Sequence, residues 1–89
     1  MKEPALELHE RVGHIKSKED LADFVSALRI DLEVNPGRWE NPTLEHFLEA
    51  MEGWIRDMDG YYVNSGQTPP QEPTWKTVAH ILMASTMYE

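Results

Sequence analysis

The chain has 89 residues, no cysteine, and 8 Lys and Arg against 16 Asp and Glu, which gives a formal net charge of −8 at pH 7. This length predicts a single domain over residues 1–89, and the lack of cysteine excludes disulfides and thiolate metal sites. The acidic balance argues against nucleic acid and anionic membranes as partners, because both are bound mainly through Lys and Arg. We expect a soluble cytoplasmic protein, because no apolar run approaches the roughly 20 residues that span a bilayer and the N-terminal residues lack the apolar region of a signal peptide.

Residues 1–16 form the least regular part of the sequence. Leu8 and Val12 keep the spacing of one helix face, but Gly13 interrupts the pattern. We therefore predict a peripheral N-terminal segment with a short helix near residues 5–11, which docks onto the domain through Leu8 and Val12.

The first long helix is predicted to follow Ser17, because serine suits an N-cap and Asp20 comes three residues later. Pro36 disfavours helical geometry at the residue before it, so the helix should end near Leu32 or Glu33. Its apolar residues recur at steps of three and four: Leu21, Phe24, Val25, Leu28 and Leu32.

Asp31 and Trp39 are predicted to meet at the end of this helix. Asp31 borders the apolar stripe, and Trp39 follows the turn that ends the helix. We expect the tryptophan to fold back over the junction of the first two long helices. The Asp31 carboxylate should then accept a hydrogen bond from a cap or from the Trp39 indole N–H.

A second, longer helix is predicted from about Pro42 to Met58. Asn41 is a favourable N-cap, and proline suits the first helical position. Asp59-Gly60 should end the helix, because glycine readily adopts the left-handed C-cap conformation. The apolar residues of this helix fall in one stripe about 120° wide: Leu44, Phe47, Leu48, Met51, Trp54, Ile55 and Met58.

Two segments separate this helix from the last one. Tyr61–Val63 is interpreted as one turn of strand or as a packed loop. Residues 64–73 contain Pro69, Pro70 and Pro73, so they are predicted to form a Pro-rich loop with polyproline character.

The last helix is predicted to run from Trp75 to Met87, with the preceding threonine as its N-cap. No charged residue lies between Lys76 and Glu89, which is typical of a helix that is buried on several sides or contacts a partner. Two arrangements stay open. Met83 and Met87 could form a contact surface, such as a homodimer interface, or the N-terminal segment could cover them.

These elements together predict an all-α fold, a small three-helix domain with an additional N-terminal helical segment. Short connections suit a bundle-like or orthogonal packing, and only the loop before the last helix is long enough to cross one end of the domain.

Three blocks of the sequence have a recognisable pattern. They are Phe24, Leu28, Asp31 and Leu32; Trp39-Glu40-Asn41-Pro42-Thr43-Leu44 with Phe47-Leu48-Glu49-Ala50-Met51 and Trp54; and Pro73-Thr74-Trp75-Lys76 with Tyr88-Glu89. Over roughly residues 17–89, the chain resembles a family of small bacterial domains of unknown function. The resemblance implies no activity and assigns no catalytic residue.

Catalysis is not predicted, because the sequence has no Gly-rich phosphate loop, no Gly-x-Ser-x-Gly elbow and no Cys/His pair. The alternative is a small enzyme or metal-binding protein that uses His46 and Glu49 with nearby carboxylates, since two ligands three residues apart on a helix can converge. We predict neither a cofactor nor a resident metal.

The central helix carries a row of carboxylates at Glu45, Glu49, Glu52 and Asp59, with Arg56 as the only cation among them. Such a row is commonly the solvated face of an amphipathic helix, and it also suits a docking face for a basic partner. We therefore predict a non-catalytic, acidic protein-interaction module, for example an immunity-type protein that neutralises a basic toxin domain. The predicted partner-binding residues are Glu45, Glu49, Glu52, Asp59, Met83 and Met87.

Overall fold

The computed structural model describes residues 7–88, and the described chain is helical without any strand. Its four α-helices are α1 (Leu8–Arg11), α2 (Lys18–Val34), α3 (Leu44–Asn64) and α4 (Trp75–Ser85), and two short 3-10 helices cover Val12–His14 and Pro36–Arg38. The predicted all-α class is confirmed. The predicted N-terminal helix falls partly on residues 5 and 6, which lie outside the described residues; the described part of that segment forms α1.

Two helix starts follow the predicted caps. The Ser17 hydroxyl accepts a hydrogen bond from the backbone N–H of Asp20 at 3.1 Å, and α2 begins at the next residue. The Thr74 hydroxyl accepts one from the N–H of Thr77, also at 3.1 Å, and α4 follows. Each side chain satisfies one of the N–H groups that a helix start leaves without an intrahelical partner.

The predicted start of α3 is wrong by two residues. Thr43 is the N-cap, with its hydroxyl accepting from the His46 N–H at 3.2 Å, and Leu44 is the first helical residue. Asn41 and Pro42 therefore lie outside the helix. Threonine serves as a cap almost as well as asparagine, so the local sequence offers two starts of similar quality.

Asn41 instead closes the end of α4. Its side-chain Nδ2 donates to the carbonyl oxygens of Ser85 at 3.2 Å and Tyr88 at 2.9 Å. Its backbone N–H donates to the carbonyl of Thr86 at 3.0 Å. The last carbonyls of a helix have no partner within the helix, so this one residue satisfies groups that would otherwise lack hydrogen bonds. It also ties the start of α3 to the end of α4.

The predicted end of α3 is also wrong, because the helix continues through Gly60 to Asn64. Tyr61–Val63 is therefore helical, not strand or loop. The left-handed glycine comes later, at Gly66 with φ of 75°. Its N–H donates to the Val63 carbonyl at 3.1 Å, and the Gln67 N–H donates to the Tyr62 carbonyl at 2.8 Å. This pair of bonds is a Schellman motif.

The core has two clusters, and α4 lies between them. One cluster joins the N-terminal segment, α2 and α4; its buried members are Val12, Ile15, Phe24, Leu28 and Ala79, and Leu8, Leu21, Trp39, Leu82 and Met83 pack against it. The other joins α3 to α4; its buried members are Trp54, Met58 and Tyr62, and Ile81, Ala84 and Tyr88 pack against it. Helix α4 thus contacts α2 on one side and α3 on the other.

Trp39 connects α2 to the start of α3. Its indole N–H donates to the Asp31 carboxylate at 2.8 Å, as predicted. Its ring is half-buried against the first cluster and stacks on Phe47 with ring centroids 6.0 Å apart.

Among the described helices, none combines the length and apolarity that crossing a membrane requires.

We predict that Asn41→Ala lowers the free energy of unfolding by about 1–3 kcal/mol, because the carbonyls of Ser85, the last residue of α4, and of Tyr88 beyond it lose their side-chain donor. Urea unfolding followed by circular dichroism measures this change. Asn64→Ala, at the exposed end of α3, is the matched control and should change the free energy by less than about 0.5 kcal/mol. Equal effects of the two substitutions would contradict the role assigned to Asn41.

Candidate partner-binding surface

The predicted carboxylate row is present along one side of α3. Glu45, Glu49, Glu52 and Asp59 are all exposed, and at about 100° per residue they fall within a sector of about 80°. Arg56 lies in the same sector and donates to Glu52 through Nη2 at 2.8 Å and Nε at 3.3 Å. Within residues 7–88, this is the only ion pair that the row makes. The other three carboxylates therefore face solvent without an ion-pair partner among these residues.

A second row on α3 is apolar and exposed. Leu44, Leu48, Met51 and Ile55 recur at i, i+4, i+7 and i+11, so they fall within about 60° of one another on the helix surface. Leu44 is 72% exposed, Leu48 51% and Ile55 49%, and Met51 is half-buried. We call these four residues the outer stripe. It borders the carboxylate row directly.

The outer stripe corrects the prediction of one apolar stripe facing a core. The buried residues of α3 are Ala50, Trp54, Met58 and Tyr62, which form a separate row at intervals of four. Helix α3 packs mainly against α4, and a single neighbouring helix covers only one side of it. The predicted stripe, about 120° wide, was therefore wider than the contact available to cover it.

Met83 and Met87, predicted as partner contacts, have different surroundings. Met83 is half-buried and packs against the cluster that contains Val12, with Leu8 alongside. For this residue the structure favours the arrangement in which the N-terminal segment covers α4. Met87 is 53% exposed. Both methionines line a hollow with Trp54 and His80.

His46 and Glu49, the residues of the metal alternative, line a hollow of about 580 Å³ beside α3. Glu52 and Arg56 line the same hollow, and these two side chains already bond to each other. No group of three His, Asp or Glu residues in the described part of the chain is arranged to hold a metal ion. The structure thus brings two candidate ligands together without a third.

An aromatic cluster between α3 and α4 was not predicted from the sequence. Trp54 lies at its centre, with ring centroids 5.0 Å from Tyr61, 5.2 Å from His80 and 5.4 Å from Tyr88. The Trp54 indole nitrogen is buried without a hydrogen-bond partner among the described residues. The sequence analysis missed the cluster because it interpreted Tyr61–Val63 as strand or loop, which placed Tyr61 and Tyr62 outside the helix that carries Trp54.

Tyr62 and His80 form the polar contact of this interface. The Tyr62 hydroxyl lies 2.9 Å from His80 Nδ1. Burial lowers the pKa of His80 below its ordinary value of 6.5, and the nearby Lys76 lowers it further. The histidine is therefore neutral at pH 7, and Nδ1 can accept a hydrogen bond from the hydroxyl. Burial, with Tyr61 as a secondary cause, also raises the pKa of Tyr62, which keeps this hydroxyl protonated as a donor.

The lowered pKa of His80 predicts that acid destabilises the fold. As pH falls through about 6.5, the unfolded chain binds a proton that the folded chain still excludes, so the free energy of unfolding decreases. We expect His80→Gln to reduce this loss between about pH 7.5 and about pH 5.5, because the glutamine amide does not titrate but can still accept from Tyr62. Urea unfolding at the two pH values measures it.

His46→Gln is the matched control for this prediction, since His46 is exposed on α3. His80→Gln should lose more of the acid destabilisation than this control, because His80 contacts Tyr62 in the α3–α4 interface. If His80→Gln kept the wild-type pH dependence in full, the assignment of the acid-sensitive step to His80 would be wrong.

Comparison with known proteins identifies a family without assigning a function. A family model described as "Family of unknown function (DUF7660)" matches residues 17–89. This range agrees with the one over which the sequence resembles a family of unknown function, while the bacterial source and the individual sequence blocks stay predictions. No curated protein and no solved structure matches the chain.

Proposed function

We propose that this chain, which belongs to the DUF7660 family of unknown function, is a non-catalytic protein-interaction module that contacts a basic partner through the carboxylate row of α3. An immunity-type protein that neutralises a basic toxin domain in a bacterial cytoplasm is one concrete form of this proposal.

The observation that supports the proposal is the placement of the row. Glu45, Glu49 and Asp59 are exposed on one side of a single long helix and have no ion-pair partner within residues 7–88. A rigid helix holds these charges at fixed spacing, which favours recognition of a complementary pattern of cations. The net charge of −8 also attracts a basic partner from a distance and raises the association rate.

A metal-binding or enzymatic role at His46 and Glu49 is the second candidate function, and the hollow beside α3 is the observation that favours it. The Arg56 guanidinium counts against it, because it lines the same hollow and occupies Glu52. A cation next to a metal site opposes binding of a second cation. The carboxylate row has the stronger support.

We predict that three substitutions on the row, Glu45→Gln, Glu52→Gln and Asp59→Asn, abolish capture of a basic protein from lysate of the native host. The reason is that the row supplies the electrostatic attraction. Wild-type capture should therefore also weaken at high salt, because the Debye length falls to about 3 Å at 1 M. Affinity capture with quantitative mass spectrometry of the retained proteins measures it.

A matched control variant removes the same number of charges elsewhere: Glu10→Gln, Glu19→Gln and Glu33→Gln, all exposed and all outside α3. It should capture the basic protein as the wild type does. A His46→Ala control should do so too under this proposal, whereas the metal alternative predicts loss. Equal capture by wild type and the α3 variant, or no basic protein retained by wild type, would refute the proposal.

A further inference from the structure

We propose that the outer stripe and the carboxylate row together form a docking surface for one amphipathic, basic α-helix of a partner protein. This inference rests on the proposed function and deepens it, because it names the secondary structure of the partner and adds an apolar contact that the charge pattern alone does not include.

The outer stripe has the dimensions of a helix-packing surface. From Leu44 to Ile55 it extends for three turns of α3, about 16 Å at 1.5 Å per residue. Its spacing of i, i+4, i+7 and i+11 is the pattern by which one helix packs against another. Isolated exposed apolar side chains are ordinary on protein surfaces, but a contiguous apolar row bordered by charge is typical of an interaction site.

The described chain does not provide a cover for the stripe. Helix α3 uses its other row, from Ala50 to Tyr62, to pack against α4. Leu44 is largely exposed, and Leu48 and Ile55 are each about half exposed. Burying them would remove apolar surface from water without disturbing the core, which is the favourable term that an incoming helix would gain.

Charge decides between a second copy of this chain and a different partner. The carboxylate row lies along one edge of the stripe, so an antiparallel pair of two α3 helices related by a twofold axis would set one row against the other. Like charges at such an edge oppose association, and a parallel pair would still join two chains of net charge −8. A helix with Lys or Arg beside its apolar row would instead place cations against Glu45, Glu49 and Asp59, which have no ion-pair partner within residues 7–88.

This arrangement corresponds to the helix-in-groove class of recognition, in which an amphipathic helix lays its apolar face on an apolar surface and its charges fix the orientation. Glu45 and Asp59 lie fourteen residues apart, about four turns of the helix. Two cations at the same spacing on the partner helix would therefore meet the unpaired carboxylates at both ends of the row.

Two synthetic peptides of about 18 residues, long enough for a stable helical contact, test the proposal. Both contain the same Leu, Lys and Ala residues. The facial peptide has Leu at i, i+4, i+7 and i+11 with Lys along one edge, and the scrambled peptide distributes the same residues around the helix. Fluorescence anisotropy at physiological salt gives the Kd of each for the full chain.

Four forms of the chain are compared. Wild type should bind the facial peptide at least about tenfold more tightly than the scrambled one. The stripe variant, Leu48→Ala with Ile55→Ala, should raise the Kd for the facial peptide about tenfold, because contact side chains are truncated. The α2 control, Ile30→Ala with Val34→Ala, truncates two side chains that are also exposed and should leave the Kd unchanged. The three-charge α3 variant should weaken binding as well.

Several results would overturn the inference. No binding of the facial peptide, equal binding of the two peptides, or unchanged binding by the stripe variant would each do so. If only the three-charge variant lost binding, the inference would fail while the proposed function stood. If only the stripe variant lost binding, the contact would be apolar without charge recognition. That result would refute a basic partner, and with it both this inference and the proposed function. A wild-type dimer in sedimentation that the stripe variant dissociates would show that the occupant is a second copy.

Discussion

Helix α4 lies between two apolar clusters, and this position decides how α2 and α3 pack. Phe24 and Leu28 of α2 belong to the cluster on one side, and Trp54 and Met58 of α3 to the other. A charge on α4 would be costly at most positions, because burying an unpaired charge is strongly unfavourable. Even the buried Ser85 hydroxyl is satisfied within the helix, by the carbonyl four residues earlier at 2.6 Å. Because α2 and α3 pack mainly on α4, each leaves its outer side open.

The parts of the fold that local chemistry decides could be predicted from the sequence. Ser17 and Thr74 cap the next residues along the chain, and their hydrogen bonds need nothing from elsewhere. Asn41 could not be predicted in the same way, because its partners lie at the end of α4, more than forty residues later in the chain. Gly60 offered a helix end that was not used, since the helix must continue for Tyr62 to reach His80. Tertiary contacts decided both cases.

In the candidate site, too, features decided by local sequence were predictable and features decided by tertiary contacts were not. The carboxylate row was predictable because its members share one helix, so spacing alone places them together. The exposure of the outer stripe was not predictable, because it depends on how many helices cover α3. A broad apolar stripe in the sequence does not indicate how many helices pack against it. The surroundings of Met83 likewise depend on where the N-terminal segment packs. One signal was available: an apolar stripe wider than one neighbouring helix can cover indicates a second contact.

If the outer stripe is a contact surface and not part of the core, truncating it should leave the fold nearly as stable as before. The free energy of unfolding in urea, measured for Leu48→Ala with Ile55→Ala, tests it most directly. Alanine favours the helix and the side chains are exposed, so we expect a value within about 1 kcal/mol of wild type, while Trp54→Ala on the same helix should lose about 3–5 kcal/mol. A loss for the stripe variant as large as that for Trp54→Ala would show that the stripe belongs to the core and is not a contact surface.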